Sequence, residues 1–290
     1  MKLLDHKKFF LSLLALIALS AYLFASAPPK LPETNSDAQG KGIPVEQFFQ
    51  MLATENASVR AMYTADIVGA GQKNGLKFHE DWKKRDVNAG PLPALFLRET
   101  SAMLQRDAPG LNLFLGSDYP IVSANAFKGL QVEYFKKLRE RGEAQYFQDP
   151  STKLYTAMFP DFASAKPCVT CHNEHANTPK KDWVLNDVMG ATTWLYPRKT
   201  VPMPDAVQAL QAYRRAVVAT YAMYLEKVKK FPEQDQPKIG DQWPKTGNYL
   251  PDVASFTKAV EERNSALTLT ALLNTQTAPE HEKTSTRAPR

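Results

Sequence analysis

Ala144-Gln145-Tyr146-Phe147 and Lys153-Leu154-Tyr155-Thr156-Ala157-Met158-Phe159 read as two strands, with Asp149-Pro150-Ser151 between them as the turn. Val188 to Tyr196 reads as a further strand. Upstream, Leu111, Leu113 and Leu115 alternate with Asn112 and Phe114, which gives a short strand ahead of the turn residues Gly116-Ser117-Asp118. Between the first and second strands the period changes. Phe127, Leu130, Tyr134, Phe135 and Leu138 make one helical stripe, with lysines and arginines opposite. Four strands with intervening helices predict an α+β fold.

Just after Pro167, between the third and fourth strands, stands Cys168-Val169-Thr170-Cys171-His172, expected in a loop or short helix. Cys-x-x-Cys-His is the spacing that attaches a c-type haem. Each thiol adds across a porphyrin vinyl group to form a thioether, and the next residue must then present an imidazole to the iron. His172 is therefore the expected proximal iron ligand, and its other ring nitrogen should find an acceptor. Three rival readings exist. A zinc site would draw on Cys168, Cys171, His172 and His175, but the histidines are closer together than zinc motifs space them. A redox dithiol or disulfide would use the two cysteines, the only ones in the chain, yet no βαβ context precedes them. Chance occurrence of the pentapeptide is the third.

Haem attachment of this kind needs export. Lys2, His6, Lys7 and Lys8 precede an uncharged, mostly apolar run from Phe9 to Ala27. At ~1.5 Å per residue this run spans about 28 Å, close to the hydrocarbon thickness of a bilayer. The flanking positives put the N-terminus in the cytoplasm and the rest of the chain in the periplasm. Ala25-Ser26-Ala27 resembles a signal-peptidase site, but Pro28 follows it, which favours an uncleaved anchor over a soluble periplasmic product. The expected organisation is a signal or anchor segment over 1–27, a Pro/Ser-rich linker over 28–42, the haem-bearing domain over 43–200, a helical extension over 201–275 and a disordered tail over 276–290. In the extension, Val207, Leu210, Val217, Tyr221 and Tyr224 line one helix. Phe256, Val260, Leu267 and Ala271 line a second.

The first long helix should start at Pro44, carry Val45, Phe48, Phe49, Leu52, Val59, Met62 and Tyr63, and break between Gly69 and Gly75. Charge adds little. The 36 basic and 30 acidic residues leave a net +6, and part of the excess lies in the leader and in Lys283, Arg287 and Arg290. Elsewhere the signs are interspersed, so no nucleic-acid partner is expected.

Four segments together resemble the single-haem c-type, PAS-like sensory domains, a family largely catalogued as a domain of unknown function. They are Arg60-Ala61-Met62-Tyr63-Thr64, Gly90-Pro91-Leu92-Pro93-Ala94, Cys168 to Asn173, and Asp182-Trp183 with Asp187-Val188-Met189-Gly190. The resemblance runs from Ile43 to Pro197. It implies a five-stranded antiparallel sheet flanked by helices, one covalent haem c at its edge and a periplasmic location. Some relatives continue into a kinase, chemotaxis or cyclase region. This chain continues into two helices, so a signal would pass to a partner protein. The function expected is sensing of redox state or of a diatomic gas, with a monohaem electron-transfer cytochrome as the alternative. No distal acid/base pair for an enzyme is found.

A distal cysteine, as in one arrangement of that family, is excluded because both thiols are needed for thioethers. Met62, on the apolar face of the first helix, is the leading candidate for the distal ligand, with His79 as the alternative. His175 is a surface residue or propionate contact, Arg60 a candidate propionate partner, and Trp183 and Trp194 are candidate pocket walls. Asp182 and Asp187 are expected to cap turns around Gly190.

Overall fold

The computed structural model describes residues 42–108, 110–241, 243 and 249–277, together with Leu13 and Leu16. The chain separates into two units, 1–40 and 41–290. In the first, Leu13 and Leu16 are helical and exposed. The rest of the expected anchor and linker, and the tail beyond 277, lie outside the described residues. Among the described residues no helix is long and apolar enough to cross a membrane.

The second unit is mixed helix and sheet. Its elements are β1 (Ile43–Pro44), α1 (Val45–Met62), α2 (Ala70–Lys73), β2 (Phe78–His79), β3 (Gly90–Pro91), α3 (Pro93–Asp107), β4 (Asn112–Gly116), α4 (Leu130–Arg141), β5 (Gln145–Gln148) and β6 (Tyr155–Phe162). There follow α5 (Lys166–Glu174), β7 (Val188–Tyr196), β8 (Thr200–Val201), α6 (Met203–Val228), β9 (Lys238–Gly240), β10 (Tyr249–Pro251) and α7 (Val253–Thr277). The four strands expected from alternation form one antiparallel sheet in the order β4-β7-β6-β5. The fifth strand implied by the resemblance is not part of this sheet among the described residues. The remaining strands pair in twos: β1 with β8, β2 with β3, β9 with β10.

The β5–β6 hairpin closes as expected. Asp149 Oδ1 accepts from the backbone N–H of Ser151 at 2.8 Å and from its hydroxyl at 2.6 Å. These bonds hold the exposed Asp149 carboxyl below its ordinary pKa.

Both faces of the sheet are covered, and the period of two sorts the side chains. Leu113, Ala157, Trp194 and Tyr196 join Phe48, Phe49, Leu52 and Val59 of α1, Phe96 and Leu104 of α3 and Tyr213, Val217 and Tyr221 of α6 in the main core. Phe114, Met158 and Ala191 face Phe135 and Leu138 of α4. The two C-terminal helices contribute Leu210, Val217, Phe256 and Val260 to the same core as the sheet. They build the unit and do not hang from it.

The first helix ends within the expected interval between Gly69 and Gly75, but not as a regular helix: α1 runs on through a π-helical segment, Tyr63–Gly69, into α2. The reversal comes at Gly75, whose φ of +90° few residues other than glycine adopt. Tyr63 is held in the π segment by donating its hydroxyl to Pro91 O at 2.8 Å and stacking on Phe96, ring centroids 4.0 Å apart. Wider π turns arise where tertiary contacts outweigh the regular ladder, and neither contact has a signature in local sequence.

Candidate functional site

The pentapeptide lies on α5. Ala165 ahead of it is extended, and Pro167 falls in the first turn, where a missing N–H leaves nothing unpaired. A helix of nine residues is too short to persist alone, and its far end is fixed by the strand approach. Asn173 Nδ2 donates to Trp183 O, and Trp183 N donates to Asn173 Oδ1, both at 2.9 Å.

Three residues apart on a helix, Cys168 and Cys171 project from one side, one turn from each other. Both thiols are free. Cys168 is half-buried and packs, with Val169, against Ala163, Trp183 and Met189. Cys171 is exposed; partial burial pushes its thiol up, and the charges of Glu80, Cys168 and Glu174 add to the rise. A reactive dithiol site lowers a thiol pKa to form thiolate, so this environment opposes the redox-dithiol reading.

His172 is partly buried, and its Nδ1 is wholly buried with no hydrogen-bond partner among the described residues. The acceptor expected for that nitrogen is therefore not engaged. Burial lowers the His172 pKa, the Asp161 carboxylate opposes this, and His175 adds to the lowering. The ring is neutral at pH 7, the form that coordinates metal.

Asp161 sits near the end of β6, opposite Gly190 of β7. Arg60, from α1, reaches it with Nη2 at 2.8 Å and donates through Nη1 to Thr192 Oγ1 at 3.2 Å. Both terminal nitrogens of Arg60 are thus committed within the chain. Only Nε, itself buried, lacks a partner among the described residues.

The other sequence candidates disperse. Met62 is 1% exposed and belongs to the main core rather than to the cluster around Cys168. His79 is exposed and accepts from Asp81 N through Nδ1 at 3.0 Å. His175 Nδ1 accepts from Asn177 N at 3.1 Å, so Nε2 carries the proton that faces Glu80 Oε2 at 3.1 Å. His175 thereby ties α5 to the segment after β2. Trp183 walls the motif, whereas Trp194 is turned into the main core against Tyr213, centroids 5.9 Å apart. Asp187 caps its turn, accepting from Val184 N at 2.9 Å; Asp182 pairs with Lys180 instead. Among the described residues no group of three or more histidines, cysteines or acids is arranged to hold a metal ion. The zinc set does not converge.

Sequence reasoning missed Asp161, Met189 and an apolar rim. Phe162, Val184 and Leu185 are 45%, 60% and 46% exposed; in the chain Phe162 precedes Ala163, and Val184 and Leu185 follow Trp183, both buried members of the motif cluster. Tyr119, also exposed, meets Trp183 edge to face at 6.2 Å. A separate groove of about 510 Å³ between α6 and α7, lined in part by Gln211, Arg215, Val218 and Glu261, shares no residue with this cluster.

A family model described as Tll0287-like, Tll0287, matches residues 44–197. No curated protein and no solved structure matches the chain.

Proposed function

The chain belongs to the Tll0287-like family, a family of unknown function whose model spans more than half of the sequence, and from that premise we propose that this unit is a PAS-like domain carrying one covalently attached haem c. The observation that carries the reading is the pairing of the motif with its surroundings. Two free thiols stand one turn apart on a helix beside a neutral imidazole, Cys168 packs against Trp183, and exposed Tyr119 meets that same ring, with exposed Phe162 and Val184 next in the chain to Ala163 and Trp183 of the cluster. Large apolar side chains clustered at the surface mark a place that something apolar covers. A porphyrin has the right chemistry to do so, at roughly 25 cal/mol per Å² of apolar surface removed from water.

Cys168 and Cys171 supply the thioether sulfurs and His172 the proximal nitrogen. Trp183 and Met189 back the helix from beneath, and the Asn173 latch keeps its pitch fixed. When bound, the haem iron supplies one-electron chemistry and an axial position for a small ligand. Met62, closed inside the core, is poorly placed to serve that position, and the exposed His79 is the better of the two. With Met62 withdrawn into the core, the function supported best is sensing of redox state or a diatomic gas, with the signal passed to a partner protein. The apolar leader holds the domain on the periplasmic side of the inner membrane.

The test is production in a cytochrome-maturing host. A denatured polypeptide that keeps its colour, and that loses it in Cys168→Ser and Cys171→Ser together, is the expected outcome; a colourless polypeptide overturns the reading. Spectra with carbon monoxide then separate the two functions. Binding to ferrous iron favours the sensor. A low-spin iron indifferent to carbon monoxide in both oxidation states favours the electron carrier.

A further inference from the structure

The motif helix and the C-terminal helices pack into different clusters. Cys168 and Val169 of α5 lie against Ala163, Trp183 and Met189, whereas Tyr221, Tyr224 and Val228 of α6 belong to the main core. The segment 80–89 bridges the two. Its ends are closed by β2 and β3, where Phe78 pairs with Gly90 and His79 with Pro91, and Gly90 N donates to Lys77 O at 2.8 Å. Inside it the chain turns on itself, with Lys84 N on Asp81 O at 2.8 Å and Val87 N on Lys84 O at 3.3 Å. Trp82, 2% exposed, sinks from it into the main core. A loop whose ends meet and whose own side chain packs beneath it is a compact body and not a loose tether.

Each side of this body is fastened to a different helix. Toward the motif, Glu80 Oε2 accepts from His175 Nε2 at 3.1 Å, and His175 ends α5 with its backbone N–H on Cys171 O at 2.9 Å. Toward α6, Lys227 Nζ donates to Lys84 O at 2.6 Å. Asn88 Nδ2 donates to Asp235 Oδ2 at 3.1 Å, in the short turn that follows α6. The base is pressed on the same helix: a Cβ on Gly90 would stand 2.6 Å from Tyr224 Cζ.

We propose that the segment 80–89 is a relay that couples the position of α5 to the C-terminal end of α6, with Glu80 and Lys84 as its two points of attachment. The coupling stands on these contacts. Its use as an output path, from the motif through the C-terminal helices to a partner protein, rests on the haem reading. Coupling between distant sites needs a physical element that both of them bias, and this segment touches both. Exposed polar contacts contribute little stability, so cutting either attachment should spare the fold and change what is transmitted.

Hydrogen exchange on the full chain made without haem maturation tests the coupling in both directions. Glu80→Ala frees the segment from α5, and Lys227→Met frees it from α6; neither side chain is buried. Linkage makes the effect reciprocal. Exchange should quicken over 224–230 in Glu80→Ala and over 168–175 in Lys227→Met, while 192–196 in the central strand stays unchanged. If each variant quickens only the segment it touches, or 192–196 quickens equally, the segment is a passive loop and the inference is overturned. In the haem-loaded full chain, reduction or carbon monoxide should change exchange over 224–236 in the wild type, and Glu80→Ala should lose that change. Reciprocal coupling in a chain that never acquires covalent haem overturns the haem reading alone. A haem-loaded chain in which 224–236 ignores both treatments, or answers them equally in wild type and Glu80→Ala, overturns the relay alone.

Discussion

Asn173 and Trp183 exchange two hydrogen bonds of equal length, the side-chain amide of one closing on the backbone N–H and C=O of the other at 2.9 Å. This latch joins the motif helix to the segment that leads into β7. Asn173→Ala leaves both backbone groups to find other partners, and at about 1 kcal/mol net per bond the loss should be about 2 kcal/mol. Asn173→Asp keeps the acceptor for Trp183 N and loses the donor, so it should fall between. Urea unfolding of the full chain measures both, and hydrogen exchange should quicken over 166–187 in the alanine variant.

At Gly190, β7 lies close against the end of β4. A Cβ there would stand 2.5 Å from Gly116 O, a backbone atom with no rotamer to yield. Gly190→Ala should therefore cost about 3 kcal/mol, at the upper end of overpacking penalties, by prising apart the β4–β7 pair. Gly240→Ala, with open space at its Cβ, is the control and should leave the unfolding midpoint within experimental scatter.

The four central strands and four of the helices were readable because their side chains repeat at two or at three to four residues. The pentapeptide was readable because covalent chemistry dictates its spacing. What escaped was the set of contacts that only the tertiary fold creates. Asp161 meets Arg60 across 101 positions because β6 extends past Phe159, through Pro160, to Phe162, with a register shift between Asp161 and Phe162. Proline and aspartate are poor strand formers, so the alternation ends before the residue that matters. His175 and Glu80, 95 residues apart, had no signal at all. Met62 shows the converse failure. Its place on an apolar stripe was legible, yet a stripe does not reveal whether a thioether faces a site or fills a core.

Inside the helical layer, Glu55 is 1% exposed and is gripped by Arg214 through Nε at 3.0 Å and Nη2 at 2.6 Å, with Thr268 on the same oxygen as Nη2. Arg214 is itself only partly buried. Removing it strands a buried carboxylate, and Arg214→Ala should cost about 3 kcal/mol, the lower end for a broken buried pair. Glu55→Leu combined with Arg214→Met removes both charges and should recover most of that loss. A double-variant cycle by urea unfolding gives the coupling directly.

Asp252 stands ahead of α7 and its Oδ1 accepts from Ser255 N at 2.7 Å. That bond, with the Ser255 hydroxyl and Ala254 N–H, holds its carboxyl below the ordinary value. A carboxyl lowered in the folded state stabilises the fold above its unfolded pKa of about 3.9, and the gain disappears as pH falls through the folded value. Asp252→Ala should cost about 1 kcal/mol at pH 7. The gap between wild type and variant should begin to close below about pH 4, where the unfolded chain first takes up the proton. Asp252→Asn, an uncharged cap, should show little of this dependence.

Met62 and His172 make opposite predictions in the haem-loaded chain. Met62 lies in the main core at 1% exposure, away from the cluster that holds Cys168. Met62→Leu keeps volume and should cost less than about 1.5 kcal/mol, and it should leave the visible spectrum unchanged. A thioether bound to iron would instead give a changed spectrum at nearly unchanged stability. His172→Ala should retain part of the covalent colour, because the thioethers need only Cys168 and Cys171, but the spin state of the iron should change. An unaltered spectrum in His172→Ala would remove His172 from the iron, and a spectrum altered by Met62→Leu would place that sulfur in the site despite its burial.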